Sequence, residues 1–135
     1  MVDVPFGVRG GVPLAHEGDA FDPEAQVLAT ADGHPRAVGY LSRLPPSTLM
    51  AVRRNPFYAG LLSAQGQPRA LVESVTGYHS YPALLAAARA EARRMNVGWA
   101  IVWRPSPYVL RYLTSTGFRF AYAADRALVY RLAPR

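Results

Sequence analysis

The sequence predicts one α/β domain over residues 1–135, with a mixed β-sheet, helices packed against it and two β-hairpins. Three observations predict this fold class. Val97–Trp103 is a continuous apolar run of the kind that forms a buried central strand. Several helical patterns begin at a serine or asparagine beside a proline, and two turn signals separate strand-like segments. A chain of 135 residues has the length of a single domain.

The first third of the chain is predicted to contain a strand, a long loop and a hairpin. Val2–Phe6 has the residue types of a short strand. Residues 7–24 are rich in glycine and acidic side chains, with few apolar anchors, which predicts a loop. Asp32-Gly33 then separates Ala25–Ala31 from Arg36–Ser42, and Asp-Gly provides the positive φ that tight hairpin turns require.

Helices and one short strand are predicted for the middle of the chain. Ser47 is a suitable N-cap for a first helix, and Asn55 followed by Pro56 begins a second one. Arg69–Ser74 has the composition of a short strand. After Ser80, apolar side chains repeat at helical spacing: Leu84, Leu85, Ala88, Ala92 and Met95.

The last third of the chain is predicted to contain the central strand of the sheet, a short helix and an edge hairpin. Val97–Trp103 is expected to lie parallel to Val2–Phe6, because a long helical connection separates them. Pro105 and Pro107 open a short helix that Gly117 ends. Two strands follow and form a hairpin around Ala124-Asp125-Arg126: Phe118–Tyr122 and Ala127–Leu132.

Composition excludes several classes of protein. Half of the residues are hydrophobic and 18% are charged, which is typical of a globular chain rather than a disordered one. The absence of cysteine excludes disulfides, thiolate metal sites and cysteine nucleophiles. All 15 basic residues are arginine, and the net charge is +6. No basic run or basic helix stripe occurs, so nucleic acid is not predicted as a partner.

Catalytic and cofactor motifs do not occur in the sequence. It has no serine-hydrolase elbow, no dinucleotide-binding glycine pattern and no P-loop. His16, His34 and His79 lie in three separate predicted loops without metal-ligand spacing. Asp19 and Asp22 lie among turn formers, where solvated carboxylates are the ordinary interpretation. We therefore predict no metal, no cofactor and no catalytic residues.

Aromatic and arginine side chains at predicted strand ends are the better candidates for binding. Tyr40, Trp99, Trp103 and Tyr108 could form a surface that stacks against sugars, although aromatic residues on strands more often pack in a core. Strand ends in α/β sheets often face ligands, and an arginine follows each of two predicted strands. The candidate substrate-binding residues are Tyr40, Arg43, Trp103 and Arg104.

Two groups of segments carry a resemblance to a known class of proteins. They resemble the soluble C-terminal domain of actinobacterial polytopic membrane proteins of the GT-C glycosyltransferase type. The resemblance covers about two thirds of the chain. The segments are Asp3–Arg9, Ala25–Gln26 and Gly33–Pro45 in the first group, and Ala92–Trp103, Leu113–Phe118 and Leu128–Leu132 in the second.

This resemblance implies that the chain is a piece of a larger membrane protein of the cell envelope. The domain would lie on the extracytoplasmic face of the cell membrane and have no catalytic residues of its own. Its partners would be the transmembrane portion of the same parent chain, and an acceptor glycan or a polyprenyl-phosphate-linked sugar.

A second resemblance implies a different class of function. Arg111–Arg119, followed by a hairpin, is similar to the late part of GNAT acyltransferases, which use acetyl-CoA. That family holds the cofactor pyrophosphate on backbone N–H groups after its central strand. Here Pro105 and Pro107 remove two such donors. A protein-interaction module without a ligand is the third alternative.

Overall fold

A four-stranded mixed sheet, in the order β1-β4-β6-β5, forms the centre of the domain. The computed structural model describes residues 1–4, 8–9, 39–40, 46–66 and 68–134. The strands of this sheet are β1 (Val2–Val4), β4 (Trp99–Val102), β5 (Phe118–Ala124) and β6 (Ala127–Leu132). A separate pair consists of β2 (Val8–Arg9) and β3 (Gly39–Tyr40). The predicted class, a single α/β domain with a mixed sheet, is confirmed.

The apolar run near residue 100 forms the central strand, as predicted. β4 pairs in parallel with β1, Val4 opposite Val102, and antiparallel with β6 on its other side. The Trp103 amide also donates to the Val4 carbonyl at 2.8 Å, so the two parallel strands stay bonded to their carboxyl ends. Ala100 and Val102 are fully buried, as expected for a strand with neighbours on both sides.

The C-terminal hairpin is confirmed. β5 and β6 pair antiparallel, and Ala124 faces Ala127 across a tight turn at Asp125 and Arg126. A register shift between Phe120 and Tyr122 marks a bulge in β5.

Five helices occur within the described part of the chain, and three of them contribute buried side chains to the core on one face of the sheet. Asn55 caps one of them through its side-chain oxygen, as predicted, and Ser80 and Ser106 cap two others in the same way. Each of these three helices has proline in its first two positions, where a missing N–H removes no helical hydrogen bond. The helices are α1 (Pro46–Arg54), α2 (Pro56–Ala64), α3 (Arg69–Thr76), α4 (Tyr81–Arg94) and α5 (Pro107–Ser115).

Three sequence-based predictions of local structure are wrong. Ser47 was expected to be an N-cap and instead lies inside α1, which extends over Pro46–Arg54. Arg69–Ser74 was expected to be a strand and instead lies in α3. Helical spacing lets Val72 reach the core, the Arg69 and Glu73 side chains pair one turn apart, and Gly77 ends the helix at φ 74°. Val8–Arg9, placed in a predicted loop, pairs as a strand with Gly39–Tyr40. Apart from Gly39–Tyr40, the predicted first hairpin lies outside the described residues.

Aromatic packing joins the helices to the sheet. The Phe57 ring on α2 stacks on Phe118 of β5, with centroids 5.9 Å apart. Tyr112 of α5 is fully buried, and its hydroxyl donates to the Phe57 carbonyl at 2.6 Å. Burial raises the pKa of Tyr112 well above 10.0, so the phenol stays a hydrogen-bond donor.

A polar cluster joins the junction of α1 and α2 to α4. The Asn55 Nδ2 donates to the Glu91 Oε1 at 2.8 Å, and the Arg94 guanidinium donates to both Glu91 oxygens at 2.6 and 2.7 Å. These hydrogen bonds, with that from Arg94 the largest cause, hold the pKa of Glu91 below its ordinary 4.5. Glu91 in turn raises the pKa of Tyr58, adding to the effect of burial.

Glu91 should make stability depend on pH below neutrality. Because its folded-state pKa is lowered, the stabilisation it provides is fully present above pH 4.5 and is lost as pH falls through the folded pKa. Chemical unfolding from pH 7 down to pH 3 should therefore show a smaller acid-dependent loss in Glu91→Gln than in the parent chain. Equal losses in the two proteins would contradict this role for Glu91.

Candidate functional site

A groove of about 690 Å³ opens where the end of α2 meets the starts of α4 and α5. This volume is within the usual range for a site that binds a small ligand. Its lining combines small, polar and aromatic residues: Ser63, Ala64, Gln65, Gly66, Tyr81, Ser106, Tyr108 and Arg111.

Local sequence features determine where the helices that line the groove begin and end. Gly66 adopts a φ of 107°, a left-handed conformation that favours glycine, and its amide donates to the Ser63 carbonyl where α2 ends. Ser80 and Ser106 cap the helices that form the other walls, which fixes where α4 and α5 begin. The first-turn tyrosines of these helices, Tyr81 and Tyr108, thereby come to the same groove.

The chemistry of the groove favours binding over proton transfer. Tyr108 is 76% exposed and Tyr81 is 42% exposed, so both offer ring surface to a ligand. Arg111 is the one charged side chain among the described lining residues, which include no carboxylate and no imidazole. The described lining therefore presents aromatic faces, hydrogen-bond donors and hydroxyls, and only its tyrosines belong to the residue types that act as general acids or bases.

The two helix starts offer few backbone donors to a phosphate. In α5, Pro107 has no N–H and the Val109 N–H already donates to the Ser106 hydroxyl. In α4, Pro82 has no N–H and the Ala83 N–H already donates to Ser80. A pyrophosphate site at a helix start needs several free backbone donors, so these two helix starts give it little support.

A smaller cavity of about 80 Å³ adjoins the groove and shares Ser63 and Tyr81 with it. On its other side, the Arg69 Nη2 donates to the His79 carbonyl at 3.1 Å, which ties the start of α3 to the segment before α4. This hydrogen bond holds the segment just before Tyr81 against α3.

The predicted strand-end residues are only partly described. The Trp103 indole Nε1 donates to Asp3 Oδ1 at 3.0 Å, and Asp3 is 1% exposed. The polar tip of this tryptophan therefore already has a partner in the fold. Arg104 is exposed just after β4. Tyr40 lies in β3, but its side chain and all of Arg43 lie outside the described residues, so the four-residue binding rim stays a prediction.

The structure separates the described members of the aromatic set that could have formed one stacking surface. Trp99 and Trp103 alternate with the buried Ala100 and Val102, so they lie on the face of the sheet turned away from the helices. Tyr108 instead begins α5 on the helical side. Of the three aromatic residues whose side chains the structure describes, Tyr108 lines the groove.

Sequence reasoning missed Tyr81 and Arg111 as groove residues. The Ser-Tyr-Pro and Ser-Pro-Tyr segments at 80–82 and 106–108 were the usable signal, since each places a tyrosine in the first turn of a capped helix. What the sequence does not show is that both helix starts come together.

Neither a metal-binding cluster nor a membrane-spanning helix occurs in the described part of the chain. Within those residues, no three histidine, cysteine or acidic side chains come together in a way that could hold a metal ion. His16 and His34 lie outside them. No helix among the described segments combines the length and the apolar character needed to span a bilayer.

Comparison with known proteins identifies no relative. No protein-family model matches the chain, and no curated protein and no solved structure matches it significantly.

Proposed function

We propose that this chain is a non-catalytic accessory domain of a membrane glycosyltransferase-like protein, held outside the cytoplasmic membrane, and that its groove contacts the acceptor glycan. The observation that carries the proposal is the groove itself. Two exposed tyrosine rings and one guanidinium line it, without a described carboxylate or imidazole.

Sugar rings suit this lining. The C–H face of a sugar packs on an aromatic ring, and its hydroxyls exchange hydrogen bonds with planar amides, hydroxyls and guanidinium groups. Tyr108 and Tyr81 provide the rings, while Ser63, Gln65 and Arg111 provide the polar groups. The few remaining backbone donors at the helix starts favour the neutral part of a glycan over its phosphate.

The parent chain is the second partner in this proposal. Its transmembrane portion would carry the catalytic acids and bind the polyprenyl-phosphate-linked sugar, while this domain positions the acceptor. Tyr40, Arg43, Trp103 and Arg104 would form the contact with that portion or with the lipid phosphate. The exposure of Arg104 beside the anchored Trp103 supports this role.

Binding of neutral oligosaccharides tests the groove. We expect weak, saturable binding of manno- or galacto-oligosaccharides, followed by NMR shifts of the groove amides. Tyr108→Ala should weaken the affinity about tenfold, which is the value of one aromatic stacking contact. Tyr122→Ala is the matched control, because Tyr122 is 54% exposed on β5, away from the groove. Equal binding by parent and Tyr108→Ala, or no binding to either sugar series, would contradict the proposal.

The GNAT-like acyltransferase is the second candidate. One observation favours it: α5 leads through Gly117 into the β5–β6 hairpin, the order that the resemblance implies. Two observations weigh against it. The Val109 N–H already donates to the Ser106 side chain, and the Trp103 N–H after β4 already donates to the Val4 carbonyl, so neither amide is free to bind a diphosphate. A saturable rise in melting temperature with acetyl-CoA, absent with oligosaccharides, would make the acyltransferase the better proposal.

A further inference from the structure

Three exposed side chains form a row across the sheet face turned away from the helices. Trp99 of β4 lies opposite Arg131 of β6, and Arg131 lies opposite Arg119 of β5. The Arg131 guanidinium carbon lies 5.4 Å from the centre of the Trp99 ring, a cation–π contact. We call Trp99, Arg131 and Arg119 the Arg–Trp row.

The two arginines of the row form an uncompensated like-charge pair. Residues directly opposite in an antiparallel pair have Cβ atoms about 5 Å apart, and like charges there destabilise the sheet. Both side chains are exposed, and neither meets a carboxylate within the described part of the chain. An anion between the two guanidinium groups would remove the repulsion and accept charge-assisted hydrogen bonds from both.

A second exposed aromatic residue, Tyr122, lies near the Arg–Trp row. The bulge in β5 places Tyr122, rather than Ala121, opposite Val129, two positions along β6 from Arg131. Tyr122 is 54% exposed and Trp99 is 37% exposed, so both rings and both guanidinium groups reach solvent on one face. Tryptophan and tyrosine prefer the headgroup level of a bilayer, and arginine reaches phosphates from an apolar stem.

We propose that the Arg–Trp row binds the phosphates of anionic phospholipid headgroups, so that the exposed part of this face, over β5 and the end of β6, lies on a membrane surface. Arg119 and Arg131 contact the phosphates, while Trp99 and Tyr122 lie among the headgroups. The inference goes beyond the proposed function, because it uses no groove residue and needs no glycan.

Co-sedimentation with vesicles tests the row. The chain should bind vesicles of phosphatidylcholine with phosphatidylglycerol, and not vesicles of phosphatidylcholine alone. Arg119→Gln with Arg131→Gln should reduce the affinity about thirtyfold, since each arginine at an anionic surface contributes about fivefold. Arg54→Gln with Arg94→Gln removes the same two charges from exposed positions on helices and should change the affinity about twofold at most.

Further controls distinguish lipid binding by the Arg–Trp row from binding through net charge and from binding of free phosphate. Arg119→Lys with Arg131→Lys keeps the charge and should keep most of the vesicle binding, and circular dichroism verifies the fold of every variant. Equal losses in the two glutamine double variants would overturn the proposal, as would equal binding to both vesicle types or no binding at all. Saturable binding of inorganic phosphate without vesicle binding would overturn the lipid assignment.

Discussion

Gly60→Ala is expected to destabilise the domain by about 2 kcal/mol, although alanine is the better helix former by nearly 1 kcal/mol. A Cβ at this position of α2 would lie 2.6 Å from Tyr112 Cε2 and 2.7 Å from its hydroxyl oxygen. The ring cannot move aside cheaply, because it is fully buried and its hydroxyl is bonded to the Phe57 carbonyl. Urea unfolding followed by tryptophan fluorescence measures the loss.

Substitutions at Tyr112 separate the clash from other effects of the alanine. Tyr112→Phe keeps the ring atoms that meet the new Cβ, so Gly60→Ala should remain destabilising in that background. Tyr112→Leu removes those atoms, and Gly60→Ala should then stabilise by about 0.5–1 kcal/mol through helix propensity. A destabilising effect of the same size in all three backgrounds would show that the close approach is not the cause.

This close approach also connects the core to the groove. Gly60 lets α5 lie against α2 through Tyr112, and the groove opens where the end of α2 meets the start of α5. Side chains at this crossing therefore set the distance between the groove walls. Gly60→Ala should shift the NMR signals of Ser63 and Tyr108 as well as lower stability.

Local signals were enough to predict most of the elements that the structure describes. The cap at Asn55, the helix start at Ser80 or Tyr81 and the apolar run of β4 each depend on a few adjacent residues, and all three are confirmed. Arg69–Ser74 was mispredicted because a short apolar stretch with the β-branched Val72 does not distinguish a strand from a helix locally. The helix is favoured by the burial of Val72 and by the left-handed Gly77 that ends it. The burial of Val72 depends on neighbouring helices, which a local pattern does not show.

The groove could not be predicted in the same way, because it depends on contacts distant in sequence. Tyr81 and Tyr108 are 27 positions apart, and they line the same groove because α4 and α5 both begin near the end of α2. Trp103 was correctly placed at a strand end, yet its bond to Asp3 spans 100 positions and no local pattern indicates it. A tyrosine in the first turn of a capped helix is exposed by default, and only the packing of neighbouring helices makes it part of a site.

Asn55→Ala is expected to destabilise the domain by about 2–3 kcal/mol, a large effect for a polar side chain. Its Oδ1 accepts from the amides of Phe57 and Tyr58 at 3.0 and 3.3 Å, and loss of such a cap costs about 1–2 kcal/mol. Its Nδ2 also donates to Glu91 across the helices, which adds about 1 kcal/mol. Asn55→Ser keeps a capping oxygen and loses only the bridge, so it should lie between the parent and alanine variants.

Asn55→Asp tests the bridge to Glu91 by itself. The aspartate caps α2 as well as asparagine does, but it places a carboxylate where the amide donated to Glu91 Oε1 at 2.8 Å. Repulsion raises the folded-state pKa of the two carboxyls relative to the unfolded chain, so the variant should be less stable than the parent near pH 7. The difference should shrink as pH falls below about 5 and one carboxyl takes a proton. Equal stability of the variant and the parent at every pH would mean that Asn55 acts through the cap alone, and that α4 is held against α2 by its apolar face rather than by this polar cluster.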